Sequence, residues 1–311
     1  MMRVSAARAM TAVAALVALA VLALNWGPQD HHAHAQGTTV TFDVDTTEDT
    51  PDADPGDGQC ADADGNCSLR AAIMEANAQA GPSKEFVINL QAYTYSFSFS
   101  SRQSDTDDAR TDDLDVRAKI TIIGQGQDQT TLERSSDSYC SRLFEVWDGA
   151  ELTLQAMTIK GFCGFEDSDG GAVYVHRGAT LTVHEVTFED NYSDDDGGAI
   201  YNEGTLTITN STFAGNEADD DGGAIYNVGT LTITGGVFGG NIADYGGGAI
   251  NNDDRGTASI EGSIFKGNFA GAYGGAIYNY GTLTVTETTF GGEDYGDGNH
   301  TPGDGGAIYI S

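Results

Sequence analysis

The stretch Gly197-Gly198-Ala199-Ile200-Tyr201-Asn202-Glu203-Gly204-Thr205-Leu206-Thr207-Ile208-Thr209, with Phe213, Asn216 and the acidic turn Asp219-Asp220-Asp221 behind it, returns with small changes from residue 170 onward. Ala172, Ala199, Ala224, Ala249, Ala276 and Ala307 mark the starts, separated by 27, 25, 25, 27 and 31 residues. A period of that length means a solenoid, whose units bury themselves only by stacking on their neighbours. Leu206 and Ile208 alternate with Thr205, Thr207 and Thr209, the two-residue period of a half-buried strand. Short strands separated by Gly and Asn, with no hairpin partner and no intervening helix, can pair only with their equivalents one unit later. The chain therefore reads as all-β: a right-handed parallel β-helix with coils of roughly 25 residues.

The inward columns are Ile200, Ile225, Ile250 and Ile277, then Leu206, Leu231 and Leu283, then Phe188, Phe213, Phe238, Phe265 and Phe290. Asn191, Asn216, Asn241 and Asn268 each follow a Phe by three residues, where an amide donates to one coil and accepts from the next. Glu293 stands at that place in the last unit and is expected to break the ladder. Weaker strands upstream, at Phe86 to Leu90, Lys119 to Ile123, Leu143 to Val146 and Leu152 to Ile159, put the β-helix at residues 85–311. Roughly nine coils at about 4.8 Å each make a rod on the order of 43 Å long. An open end would expose unpaired strand edges. Residues 68 to 79 can cover it, since Leu69, Ala72, Ile73 and Ala76 share one helical face and Ser68 is a suitable N-cap. Residues 36–84 are accordingly read as a capping segment.

At the N-terminus, Arg3 and Arg8, an apolar run from Thr11 to Leu24 and Ala33-His34-Ala35 before Gln36 form a secretory signal peptide, residues 1–35. A retained membrane anchor is the alternative; on either reading the folded part lies outside the cytoplasm, secreted or at the cell surface, and the mature chain has no membrane span. The formal charge is −33, and −34 once residues 1–35 are removed, which argues against nucleic acid and anionic membranes as partners. With only four lysines the composition also suits solubility in high salt. Four cysteines in an exported chain read as two disulfides. Proximity favours Cys60 with Cys67 and Cys140 with Cys163, among three connectivities that four cysteines allow.

Gly58-Gln59-Cys60, Gly65-Asn66-Cys67-Ser68-Leu69-Arg70-Ala71-Ala72-Ile73 and Glu75-Ala76-Asn77 together resemble the N-terminal motif of the bacterial CSLREA-domain proteins, with Ala71 where that motif has Glu. The resemblance spans residues 38 to 80 and continues through Asp113-Leu114-Asp115 and Ile120 to Gly126. The Gly-Gly-Ala-Ile and Phe-x-x-Asn units are similar to the repeats of chlamydial polymorphic outer-membrane proteins, which are surface adhesins. The resemblance implies an exported, adhesin-like β-helix associated with a bacterial outer membrane. No membrane-barrel pattern follows, and the chain stops at Ile310-Ser311 inside a new unit, so it reads either as a fragment or as a last coil without a cap.

The residues support a non-catalytic binding or structural module, with a polysaccharide lyase or glycoside hydrolase as the alternative. Hydrolysis needs two carboxyls at a set separation, and lyase action needs a base and a cation. Acids such as Asp194 to Asp196 and Asp219 to Asp221 recur in every coil, whereas catalysis breaks symmetry. His176, Arg177, His184, Arg255, Lys266 and His300 occur once, but form no pattern of nucleophile, base and orienter and are read as solvated. No cofactor is called for. Calcium suits hard oxygen donors on acidic turns, although Asp62-x-Asp64-Gly65 lacks the spacing of an EF-hand loop. Ice binding is a minor alternative. Thr207-x-Thr209, Thr232-x-Thr234 and Thr284-x-Thr286 lie in register, but Ser259, Glu261 and His184 interrupt the array. The favoured surface is the column Tyr174, Tyr201, Tyr226, Tyr278 and Tyr309, expected to point outward beside the buried aliphatics and to meet a protein or glycan, with Asn251 as its one gap.

Overall fold

The computed structural model describes residues 38–99, 112–136, 139–164, 169–292 and 298–311. The signal segment 1–35 and Glu293 lie outside the described residues. Among the described residues every strand pairing is parallel, and each strand pairs with its equivalent in the neighbouring coil, which makes the fold a parallel β-helix. The described residues form three sheets. The first has 15 strands, and its main path leads from Thr38–Asp43 and Lys84–Asn89 to Thr205–Thr209, Thr230–Thr234, Thr257–Glu261 and Thr282–Thr286. The second has eight strands, from Leu114–Val116 and Phe144–Val146 through Val173–Val175, Ile200–Asn202, Ile225–Asn227, Ile250–Asn252 and Ile277–Asn279 to Ile308–Ile310. The third has five strands of two residues each, from Cys163–Gly164 to Phe269–Ala270.

The register stacks like on like. Leu181, Leu206 and Leu231 face one another across successive coils, and Phe188, Phe213, Phe238, Phe265 and Phe290 form a stack with centroids 4.6 to 5.1 Å apart. That spacing is the strand separation itself, so stacking the rings costs the backbone nothing. Ala156, Glu185, Asn210 and Glu287 share one register position in the first sheet and all have φ between 50° and 56°; Gly235 and Gly262 fill the same column. A left-handed residue in each coil turns the strand there, and glycine adopts it without penalty.

The asparagine ladder runs as expected and then goes further. Asn191, Asn216, Asn241 and Asn268 each pass an amide hydrogen to the next, at 2.9 Å. Asn268 then donates to Asn299 at 2.7 Å, so the longer last unit still supplies an asparagine and the ladder continues. A second buried ladder, Asn202, Asn227, Asn252 and Asn279, has links of 2.7 Å each.

Stacking begins before residue 85, because Thr38–Asp43 is the edge strand of the first sheet, inside the segment read as a cap. The cap helix is Leu69–Ala78, with Ser68 as N-cap accepting from the Ala71 amide at 2.9 Å. Leu69, Ala72, Ile73 and Ala76 are all buried. Asn77 covers the free edge of the second sheet, donating to the Asp115 carbonyl at 2.7 Å and accepting from the Arg117 amide at 2.9 Å, as a neighbouring strand would. Both disulfides join the pairs that proximity favours, Cys60 with Cys67 and Cys140 with Cys163. Among the described residues no helix is long and apolar enough to cross a membrane.

Candidate functional site

The outer face of the second sheet carries one column in strict register: Asp115, Glu145, Tyr174, Tyr201, Tyr226, Asn251, Tyr278 and Tyr309. These residues alternate with the buried Val173, Ile200, Ile225 and Ile250, whose fixed positions hold the face still. Tyr174 stacks on Tyr201 at 5.0 Å and Tyr201 on Tyr226 at 5.2 Å, with ring planes within 20°. The rings cover one another's faces, so the ladder presents edges and hydroxyls outward. Burial, and then nearby carboxylates, push these three phenols well above their ordinary range, so they remain hydrogen-bond donors.

Tyr278 departs from the outward orientation expected of it: it is 1% exposed. Its ring leans into the space left by Gly246, where an added Cβ would come within 2.3 Å of it, and it packs against Tyr245, Tyr273, Tyr280 and Tyr309. Tyr174, Tyr201, Tyr226 and Tyr309 are half-buried. At the turn before each strand stands a second column, Asp169, Asp196, Asp221, Gly246, Tyr273 and Asp304. The Asp196 amide donates to Asp169 and the Asp221 amide to Asp196, so each carboxylate holds the coil after it. Burial, followed by Asp195, raises Asp169 to about 6; burial, followed by Asp221 and Asp169, raises Asp196 to about 8; burial, followed by Asp220, raises Asp221 to about 7.

At its N-terminal end the face changes character. Asp113, Asp115 and Glu145 are buried with carboxylate oxygens within 4.8 Å of one another. Arg142 lies 3.5 Å from Asp113, and His176 lies 2.5 Å from Glu145. Asp115 accepts from the Trp147 indole at 2.5 Å and faces Arg117 at 3.8 Å. The rings join in: Trp147 stacks on His176 at 4.4 Å, Arg117 lies over Trp147 at 4.4 Å, and Arg142 lies over Tyr174 at 5.2 Å. Among the described residues this cluster of carboxylates, guanidinium groups and aromatic rings occurs once.

Of the residues singled out because they occur once, only His176 belongs to it. Arg177, Lys266 and His300 are exposed, His184 sits 3.7 Å from Glu185, and Arg255 reaches Asp253 and Asp254 at 3.6 Å. Reading single residues missed Asp115, Arg117, Arg142, Glu145 and Trp147. Lining up Leu114, Phe144 and Val173 as equivalents of Ile200 would have put Asp115 and Glu145 into the tyrosine column. Asp169, Asp195 and Asp196 also bring carboxylate oxygens within 4.8 Å of one another, the hard-oxygen chemistry a calcium ion takes.

The threonine face of the first sheet is more regular than the pairs Thr207-x-Thr209 and Thr232-x-Thr234 suggest. Two residues upstream a hydroxyl array runs over five coils, with Ser259 in place of one threonine: Thr180 and Thr182, Thr205 and Thr207, Thr230 and Thr232, Thr257 and Ser259, Thr282 and Thr284.

The right-handed β-helix region, as a family, matches residues 121–290. The chain belongs to the right-handed β-helix family. No curated protein matches it. Among solved structures, this β-helix is similar to a rhamnogalacturonan lyase at 10% identity, covering 81% of this chain and 73% of the other with a TM-score of 0.38. It is also similar to an alginate lyase of family PL6 at 15% identity, covering 93% of this chain and 42% of the other with a TM-score of 0.34.

Proposed function

We propose that this β-helix is an exported, non-catalytic binding module at a bacterial surface, and that the outer face of its second sheet is the recognition face. The motif around Cys67-Ser68-Leu69-Arg70 and the Gly-Gly-Ala-Ile repeats support export and an adhesin-like role. The observation that carries the reading is the run of half-buried rings Tyr174, Tyr201 and Tyr226, held in register about one strand spacing apart and flanked by carboxyls, one of which, Asp253, accepts from the Tyr226 hydroxyl at 3.1 Å. Rigid aromatic residues with a polar tip give contact area at little entropic cost, which suits protein or glycan recognition.

One observation favours a second reading, polysaccharide cleavage: the cluster of Asp113, Asp115, Glu145 and His176 is asymmetric, as catalysis requires. Against it, all three carboxylates are buried and each already has a partner. The test is a glycan- and protein-array screen on residues 36–311, with a depolymerisation assay run alongside on the glycans. Binding that Tyr201→Ser with Tyr226→Ser abolishes, in a protein whose circular dichroism is unchanged, supports the recognition face. Turnover that is lost in Glu145→Gln replaces this reading with the enzyme.

A further inference from the structure

The first sheet carries a face that the tyrosine column does not use. Its two hydroxyl columns run from Thr180 to Thr282 and from Thr182 to Thr284, with one member of each in every coil. Thr180, Thr182 and Thr207 are half-exposed and the rest exposed. Among the described residues none of these hydroxyls bonds to another protein group, whereas those of Thr50, Thr130 and Thr158 are taken up. Neither column holds a charge or an aromatic ring, on a chain of net charge −33. Successive coils also turn little against one another: the Phe rings stacked within the same sheet lie 4° to 14° from parallel, against about 20–25° between the strands of an ordinary sheet. His184 and Glu261, which argued against a regular array, stand in a third column with Thr209, Thr234 and Thr286 and leave the first two intact.

We propose that this face binds the surface of ice. A hydrogen bond between two oxygens is about 2.75 Å long, and tetrahedral bonding then sets the repeats of hexagonal ice at about 1.63 and about 2.67 times that length, or about 4.5 Å and about 7.3 Å. On the protein, hydroxyls recur at about 4.8 Å from coil to coil and at about 6.7 Å from one column to the next. The first mismatch grows by about 0.3 Å per coil and reaches about 1.2 Å over the array, less than half a period; the second, about 0.6 Å, is met only once. Each hydroxyl both donates and accepts, as a lattice water does. The backbone behind it is already fixed by the Phe stack and the asparagine ladder, so little ordering entropy is lost on contact. An uncharged face suits an uncharged lattice, which cannot hydrate an ion. A soluble ligand has no such repeat in two directions, and a charged one finds no partner in either column. Ice binding at this face is independent of what the tyrosine column recognises.

The experiment freezes a dilute mixture of the whole chain and serum albumin slowly and measures each protein in the ice and in the remaining liquid. The chain is expected to enter the ice about tenfold more than albumin does. Thr207→Lys with Thr232→Lys, which sets two charges against the lattice in adjacent coils, should bring it down to the albumin level. Glu217→Lys with Ile242→Lys sets the same two charges on the exposed side of the third sheet, also in adjacent coils, and should leave the uptake unchanged. His184→Thr with Glu261→Thr completes the third column and should raise the uptake by about twofold or more, a gain that a merely structural role for the threonines would not produce. Exclusion of the unaltered chain from ice, or equal losses from the two lysine pairs, overturns the assignment. If the Thr207 and Thr232 variant does not fold, the third-column variant decides, and uptake that fails to rise there overturns it. Neither result touches the tyrosine column, whose test is the array screen.

Discussion

Asn241 shows how much one side chain can hold in this architecture. It is fully buried, donates to the Phe213 carbonyl at 3.0 Å and to Asn268 at 2.9 Å, and accepts both from the Asn216 side chain at 2.9 Å and from the Asn216 amide at 3.1 Å. Asn241→Ala would take one bond from the Phe213 carbonyl and leave two Asn216 donors buried without partners, at about 1–3 kcal/mol for each stranded donor. A loss of about 3 kcal/mol or more is expected, read as a lower urea midpoint with an unchanged slope. Asn299→Ala, at the half-buried end of the same ladder, should cost less than half as much, because water can replace it. Equal losses at both positions would mean the ladder is not the source. This ladder was legible from Phe-x-x-Asn. Its extension to Asn299 was not, because the insertion that carries it lengthens the last unit to 31 residues and moves the asparagine out of the motif. The second ladder was in plain view in Ile-Tyr-Asn, but a residue two places beyond a buried aliphatic is inward by strand alternation, and a polar residue there tends to be assigned to a turn.

The cap helix is the element on which the start of the coil depends. Its face of Leu69, Ala72, Ile73 and Ala76 could be read from spacing alone, since four apolar residues at helical intervals have few other uses. What spacing could not reveal is the polar side of the cap, which is buried as well. Arg70 is 2% exposed, binds Asp49 through two bonds of 2.7 and 3.0 Å, and donates to the Asp112 carbonyl at 2.8 Å. Glu75, fully buried, accepts from the amides of Gly56 and Gly58. These partners lie 17 to 42 residues away, beyond the reach of any local pattern. Removing one member of a buried ion pair costs about 3–5 kcal/mol because the other charge is stranded. Arg70→Ala should therefore destabilise the chain by about that amount, whereas Arg255→Ala, whose side chain is 60% exposed, should change it by less than about 0.5 kcal/mol. Chemical denaturation of the two variants side by side checks the contrast. If Arg70→Ala is as mild as Arg255→Ala, the helix is an appendage and not a cap.

Across the whole molecule the repeat turns single acidic residues into columns, and the columns decide how stability depends on pH and salt. The sequence alone made the −33 charge and the repeated Asp turns plain, but a turn residue gives no sign of its burial, and the half-buried line of Asp169, Asp196 and Asp221 emerged only with the stacking. Their carboxyls are raised to about 6, about 8 and about 7, against about 3.9 in an unfolded chain. The folded state therefore holds more protons than the unfolded state between about pH 4 and pH 8, and stability must fall as pH rises through that range. The stabilisation is fully present below about pH 4 and gone above about pH 8 as far as these groups are concerned. Asp62, held low chiefly by the Thr50 hydroxyl, works in the opposite sense and only at the acid end, where stability is lost as pH falls through its lowered value. The melting temperature should accordingly be higher near pH 5 than near pH 8 at low salt. Raising salt to about 1 M shortens the screening length to about 3 Å and should narrow that gap by weakening repulsion between neighbouring coils, although the desolvation part will survive it. Asp196→Asn with Asp221→Asn should flatten the pH dependence without salt, since the amides keep the shape and remove the charge. A melting temperature that is the same at both pH values would mean that the columns are hydrated or paired in solution. A rise at pH 8 produced by millimolar calcium and reversed by chelation, where matched sodium chloride has no effect, would assign the same carboxylates to a bound cation.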